Sequence, residues 1–297
     1  MKEEGGIWIE KSVRNYVEGL PLITVISISY NAGLSSVKNT IRSVLAQNYP
    51  NIEYIVIDNC SIDGSQMLFK HFEKRIDYWL SEKDSGPYDA MNKGLGMAHG
   101  DWIVFMNMGD TFPDNPNHLS QLIKEVKSED VQILYGNTQI KKLGFSYLKK
   151  FKTEIRHNLY FGILRLNHQS LMARAELFKS IGVFDSHRFK IKADAYWFNK
   201  VYYQIGAGAF QYIDSVFAIY GEDGLSSHTD SFPKMYAEDK LILNEFGSLF
   251  QKILNFFRYR VIMIRVFLFN VLRKNTSLYT IYRKVKYSNC QPATHIK

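Results

Sequence analysis

The chain has 297 residues, 46% hydrophobic, 14% aromatic and 22% charged, a composition that supports a sizeable buried core and excludes a disordered chain, a fibre or a multi-span membrane protein. The formal net charge of +8 is uneven: Phe246 to Lys297 holds ten basic residues and no acidic one, leaving residues 1–245 with 27 basic against 29 acidic side chains. A near-neutral body therefore carries a cationic tail, and no nucleic-acid footprint is expected over the whole surface. Two distant cysteines, Cys60 and Cys290, make neither a disulfide framework nor a zinc spacing and fit a reducing compartment. The first residues hold no apolar run long enough for a secretory signal, so the body is expected on the cytoplasmic side.

In chain order, Leu22 to Ser29 is a β-branched run that predicts a buried strand, ending in the turn-prone Tyr30-Asn31-Ala32-Gly33. From Leu34 the spacing turns helical, with Val37, Ile41, Val44 and Leu45 on one face, and stops near Tyr49-Pro50. A second strand, Glu53 to Asp58, opens into the polar turn Asn59 to Ser65 and a helix through His71. A third strand, Asp77 to Ser81, leads through the loop Glu82 to Pro87 into a helix over Tyr88 to Ala98, and a fourth strand spans Asp101 to Asn107. This alternation predicts βαβ units and a doubly wound, mostly parallel α/β sheet. Beyond Asp110 the regularity drops: helices near Asn117 to Lys127, Ala175 to Ile181 and Ala193 to Tyr203, and a strand near Gln132 to Leu134, predict a mixed half on the same sheet.

In such sheets ligands sit beyond the carboxyl ends of the strands. Asp58 closes an apolar strand and either accepts hydrogen bonds from a base or ribose diol or caps its own turn. Asn107-Met108-Gly109-Asp110 offers an acid for a hard divalent cation, or a turn in which Gly109 supplies a positive φ. Asp194 reads either as a helix cap or as a crevice carboxylate, and His168 either as a buried structural residue or as part of a site. No GxGxxG follows the first strand and no GxxxxGK[ST] occurs, which weakens dinucleotide and P-loop readings.

In this order, Pro21 to Val25 with Ser29-Tyr30-Asn31, Ile41 to Gln47, Tyr54 to Ser65, Ser81 to Gly94 and Gly100 to Asp110 resemble the family 2 glycosyltransferases of GT-A fold, over roughly Pro21 to Ser227. Ser81 to Gly94 resembles the subgroup that elongates lipid-linked oligosaccharides in bacterial surface polysaccharide assembly, such as O-antigen or exopolysaccharide. The resemblance implies a nucleotide-sugar-binding half over residues 21–115 and an acceptor half over 116–228, between a leader at 1–20 and a basic helical tail at 229–297. It implies that Tyr30, Asn31, Asp58, Ser61, Asp84, Asn92, Lys93 and Asn107 line or support the nucleotide-sugar pocket. Asp110 would contact Mg²⁺ or Mn²⁺, His168-Gln169 would face the acceptor, and Asp194 would be the catalytic carboxylate of an inverting enzyme. Asp223 to Ser226 resembles a Gly-Gly-x-Ser segment near such sites. Two departures stand out: only the last acid of the DxD-type element is kept, and Asp223 replaces a glycine.

The substrates implied by the resemblance are a nucleotide sugar, UDP-linked by family precedent, and a polyprenyl-diphosphate-linked saccharide. Lys252, Arg258, Arg260 and Arg265 interrupt the apolar run Phe250 to Leu272. Because Arg at mid-membrane costs about 2.5–3.5 kcal/mol on insertion scales, residues 250–290 are expected to lie on the inner membrane's cytoplasmic face or to pack on the body or a partner. A catalytically inactive sugar-nucleotide-binding scaffold is the competing expectation.

Overall fold

The computed structural model describes residues 2–10, 15–142, 145–221, 231–273 and 291–292. A short strand β1 (Glu3–Gly5) precedes the apolar β2 (Ile23–Ser29), and the chain then alternates as its periodicity predicts: α1 (Leu34–Leu45), β3 (Ile52–Asp58), α2 (Ser65–Phe72), β4 (Tyr78–Ser81), α3 (Pro87–Met97) and β5 (Trp102–Phe105). Strands β4, β3, β2 and β5 are parallel neighbours. They are buried on both faces, which is why they read as continuous apolar runs. Helix α1 lays Val37, Ile41 and Val44 on one side of the sheet, all essentially inaccessible, and burying each such side chain is worth about 1.5–3 kcal/mol. On the other side, α3 approaches β2 so closely that a Cβ on Gly94 would lie 2.5 Å from Ile26, and only glycine fits there.

The second half adds α4 (His118–Lys124), β6 (Ile133–Lys142), β7 (Phe145–Lys149), the hairpin β8 (Leu159–Tyr160) and β9 (Ile163–Leu164), β10 (Leu171–Arg174), α5 (Ala175–Ser180), α6 (Ala193–Ile205) and β11 (Phe210–Gly221). Strand β10 inserts antiparallel between β5 and β6, so the sheet runs β1-β4-β3-β2-β5-β10-β6-β7. Strand β11 pairs parallel with the length of β6.

Several boundaries differ from the sequence expectation. Helix α1 stops at Leu45, four residues before Tyr49, because Ala46 already caps it and Tyr49 turns inward to donate to the Pro21 carbonyl. The strand expected over Gln132 to Leu134 continues to Lys142, since β11 supplies partners for its polar end. Strands β1, β10 and β11 have no alternating pattern and become strands by pairing. Helix α7 (Phe232–Phe246), assigned by sequence to the tail, buries Ile242 and Leu243 in the core that also holds Ile26, Phe105 and Trp197. Helix α8 (Leu249–Arg273) stacks Tyr259 on Tyr236 of α7. No helix among the described residues is long and apolar enough to cross a membrane.

Candidate active site

The carboxyl ends of β2 and β3 are tied together by side chains. Asp58, fully buried, accepts from the Ser61 amide (2.9 Å), the Ser61 hydroxyl (2.5 Å) and the Ser81 hydroxyl (2.7 Å). Ser61 in turn accepts from the Asn31 amide at 2.8 Å, and Asn31 Oδ1 accepts from the Ile62 amide at 2.8 Å. Asn31 and Cys60 both sit at positive φ, 46° and 50°, a backbone strain of the kind that collects at ligand sites. Asn59 Oδ1 accepts from the Asp84 amide, bringing the loop after β4 to the same edge. Burial pushes the Asp84 carboxyl up, with neighbouring Asp58 and Asp89 adding to it and the Gly86 amide and Lys93 opposing. Tyr30 projects from this edge, 65% exposed.

Asn92 and Lys93 are spent differently. Asn92 exchanges hydrogen bonds with both backbone groups of Phe184, at 2.7 and 3.0 Å. Lys93 bonds the Lys83 carbonyl and pairs with Glu82, both at 2.7 Å. These contacts fasten the crevice loops.

A second cluster forms where β5 ends. Asp110 is held by its backbone: Thr40 Oγ1 of α1 donates to the Asp110 carbonyl at 2.6 Å and accepts from the Gly109 amide at 3.0 Å, with Gly109 at φ 106°. The Asp110 side chain, by contrast, is held loosely, by Gln169 Nε2 at 3.4 Å and by an interaction with the Asn107 backbone amide. Burial drives its carboxyl up to about 7, with His168, the Gln169 side chain and the Asn107 backbone amide reversing this only in part. His168 lies between Asn107 Nδ2, 2.9 Å from its Nε2, and Asp194 Oδ2, 3.0 Å from its Nδ1. Assigning the proton to Nδ1 gives each of these contacts a donor and an acceptor.

Asp194 Oδ1 accepts from the Tyr88 hydroxyl and the Ala195 amide, both at 2.8 Å. Burial opposes its charge, but His168, Tyr88 and the Ala195 amide together hold the carboxyl below the usual range. Oδ1 is thus saturated, while Oδ2 keeps a lone pair beyond the His168 bond. Asp194 lies in the first turn of α6, whose N-cap makes no side-chain bond, and its carboxylate reaches across to Tyr88 of α3 and to His168. Sequence reading missed Tyr88 and Thr40 as site builders. Thr40 is a polar residue on the apolar face of α1, which is the signal that exposes it. Asp223 to Ser226 lies outside the described residues.

Asp110 fits a hard cation: it is a buried carboxyl with no ion pair among the described residues, held by a long Gln169 contact and the Asn107 backbone amide and influenced electrostatically by His168, and the buried Asn107 Oδ1 beside it has no hydrogen-bond partner among the described residues. No group of three or more His, Cys, Asp or Glu that could hold a metal occurs among the described residues, so further ligands would come from a substrate's oxygens or water.

Buried acids at the carboxyl ends of parallel strands, with an antiparallel β10 inserted beside them, make a mixed α/β sheet with a crevice at those ends, and residues 24–210 match Glycosyl transferase family 2. The chain belongs to that family. It is 32% identical over 176 residues to an uncharacterised glycosyltransferase of Mycobacterium tuberculosis, covering 59% of this chain and 66% of that protein. Over 93 residues it is 39% identical to the putative teichuronic acid biosynthesis glycosyltransferase TuaG of Bacillus subtilis, 30% of this chain and 36% of TuaG. These alignments span less than two thirds of each relative's length. The fold is shared with S. aureus TarS in complex with UDP-GlcNAc, at TM-score 0.55 and 17% identity, covering 75% of this chain and 66% of that one.

Proposed function

We propose that the protein is an inverting glycosyltransferase that moves a sugar from a UDP-linked nucleotide sugar to a hydroxyl of a lipid-linked saccharide in bacterial surface polysaccharide synthesis. The observation that carries this reading is the pairing of two acids in opposite states at the end of β5 and the start of α6. Asp110 is buried and underpartnered, whereas Asp194 is charged, oriented and left with one open lone pair. The family membership, the UDP-GlcNAc bound by TarS and the teichuronic acid role given for TuaG support donor and product class.

In this reading Tyr30, Asp58's turn and the Asp84 loop receive the nucleotide. Asp110, with Asn107 beside it, would hold Mg²⁺ or Mn²⁺, which when bound neutralises charge developing on the departing diphosphate. Asp194 Oδ2 takes the proton of the acceptor hydroxyl as that oxygen attacks the anomeric carbon from the face opposite the leaving group. Its lowered proton affinity is tolerable because the hydroxyl becomes strongly acidic only as the new bond forms. Tyr88 and His168 hold the carboxylate in line.

Helix α8 supports peripheral attachment to the cytoplasmic face of the membrane. Phe250, Ile253, Phe257, Val261, Ile264 and Leu268 make an exposed apolar stripe at helical spacing, flanked by Lys252, Arg260 and Arg265. Such a helix dips its apolar face into the interface, and each basic residue adds about 1 kcal/mol on anionic lipid. The test is incubation of purified protein with a panel of nucleotide sugars and Mn²⁺. Slow hydrolysis of one, lost in Asp194→Asn, is expected, and no turnover with any donor or acceptor extract would leave the scaffold reading in its place.

A further inference from the structure

Between α8 and Asp194 lies a group of cations with too few carboxylates. Asp239 of α7 is buried and accepts from three of them: Lys192 Nζ, Arg165 at 3.1 Å and Arg258 of α8 at 3.3 Å. Its neighbour Glu238 is used up by the backbone, accepting from the amides of Lys190, Ile191 and Lys192 at 2.8, 3.1 and 2.8 Å. Lys149 adds a fourth cation, interacting electrostatically with Arg165 and Asp194 while its amine donates to Asn167 Oδ1 at 2.6 Å, next to His168.

A purely structural ion network matches charges, because unneutralised buried charge is costly. Here Asp239 alone makes side-chain ion pairs with three cations, Glu238 spending its oxygens on backbone amides, and the crowding of positive charge is visible in their behaviour. Burial, with repulsion from Arg165 and Arg258, brings Lys192 down to about 8 despite its bond to Asp239. Arg165 Nε is buried with no acceptor among the described residues. The side chains of Arg165 and Arg258 nevertheless stay 26% and 22% exposed, open to an incoming group.

We propose that Arg165 and Arg258, backed by Lys192 and Lys149, form an anion subsite for the phosphate or diphosphate of the acceptor. Guanidinium pairs suit phosphate oxygens bidentately. The placement is what such an acceptor needs. Lys192 is two residues from Asp194, and Arg258 projects from the helix whose apolar stripe is exposed, with Tyr160 and Phe161 against its guanidinium. A lipid in the membrane would pass its diphosphate to this cluster and its sugar hydroxyl to Asp194. The inference rests on the lipid-linked acceptor reading and specifies where its charge is recognised.

The probe is geranyl diphosphate, titrated calorimetrically into full-length protein in EDTA, with geraniol as the neutral control. Binding is expected for the diphosphate alone, weakened about tenfold or more in Arg165→Met and in Arg258→Met, partly restored in Arg165→Lys, and unchanged in Asp110→Asn. Two cations remain on Asp239 in each single variant, so their melting temperatures should stay near wild type, and a diphosphate-induced rise in melting temperature should vanish with binding. Equal binding by wild type and both Met variants would overturn the assignment. So would vesicle data in which those variants lose affinity for phosphatidylglycerol vesicles while wild type shows no geranyl diphosphate binding, since the ligand would then be a bilayer headgroup. Nucleotide-sugar hydrolysis separates the two proposals: hydrolysis without diphosphate binding sinks this one alone, and diphosphate binding without hydrolysis sinks the transferase reading.

Discussion

Asp58 ends β3 and Asp110 follows β5, the strands that flank β2, and these two buried acids are treated in opposite ways. Asp58 receives three short hydrogen bonds from its own turn and from Ser81, whereas the carboxyl of Asp110 has one long side-chain bond and an interaction with the Asn107 amide while its backbone is gripped by Thr40. A satisfied buried carboxylate builds structure, and an underpartnered one held in place is prepared for a ligand. Asp194 lies between these cases, with one oxygen filled and the other half open.

The largest effect expected from this contrast is at Asp194. Asp194→Asn should lower transfer by about 10³-fold, in the range set by loss of a general base, with donor affinity unchanged by calorimetry. Full activity in that variant would reduce Asp194 to a structural acid like Asp58. Next comes Asp110→Asn, for which transfer should fall about 100-fold, while the metal-free protein melts no lower than wild type because burial already disfavours the charge and no ion pair is lost. Asp58→Asn should do the reverse, destabilising the fold by about 2–4 kcal/mol in denaturant titrations because amide hydrogens replace acceptors facing Ser61. Equal melting temperatures for the two variants would erase the distinction.

A smaller effect separates a third buried group that neither binds nor catalyses. His118 packs between Phe112 and Phe217, and burial brings its imidazole down to about 4 despite a bond to the Phe217 backbone. Between about 6.5 and 4 the unfolded chain takes up this proton and the folded chain does not, so stability falls as pH drops through that window and levels off below it. The contribution is at most about 3 kcal/mol. His118→Gln should flatten this part of the stability-pH curve in chemical denaturation, and an unchanged slope would assign it to other groups.

How far the sequence discloses the molecule follows from the same contrast. Strands β2 to β5 are legible because burial on both faces writes an apolar run, and the acids after them are legible because topology puts any ligand there. Strands β10 and β11 are not, since their partners are distant in sequence and their polar residues are accommodated by pairing with β6. In the site, the residues Asp58, Asp110, His168 and Asp194 are found from position and motif, but their roles are not. Only the structure separates Asn92, whose amide is consumed by Phe184, from Asn107, whose Oδ1 is left open. Glu238 and Asp239 are illegible because they act from a helix beyond the family match, on a loop some 47 residues earlier.

UDP binding to wild type and Asp110→Asn with and without Mn²⁺, measured by calorimetry, tests most directly whether Asp110 holds a cation shared with the donor's diphosphate. Wild-type affinity should rise about tenfold or more when Mn²⁺ is added, and the variant's should not change. An equal gain from Mn²⁺ in both proteins would contradict the account.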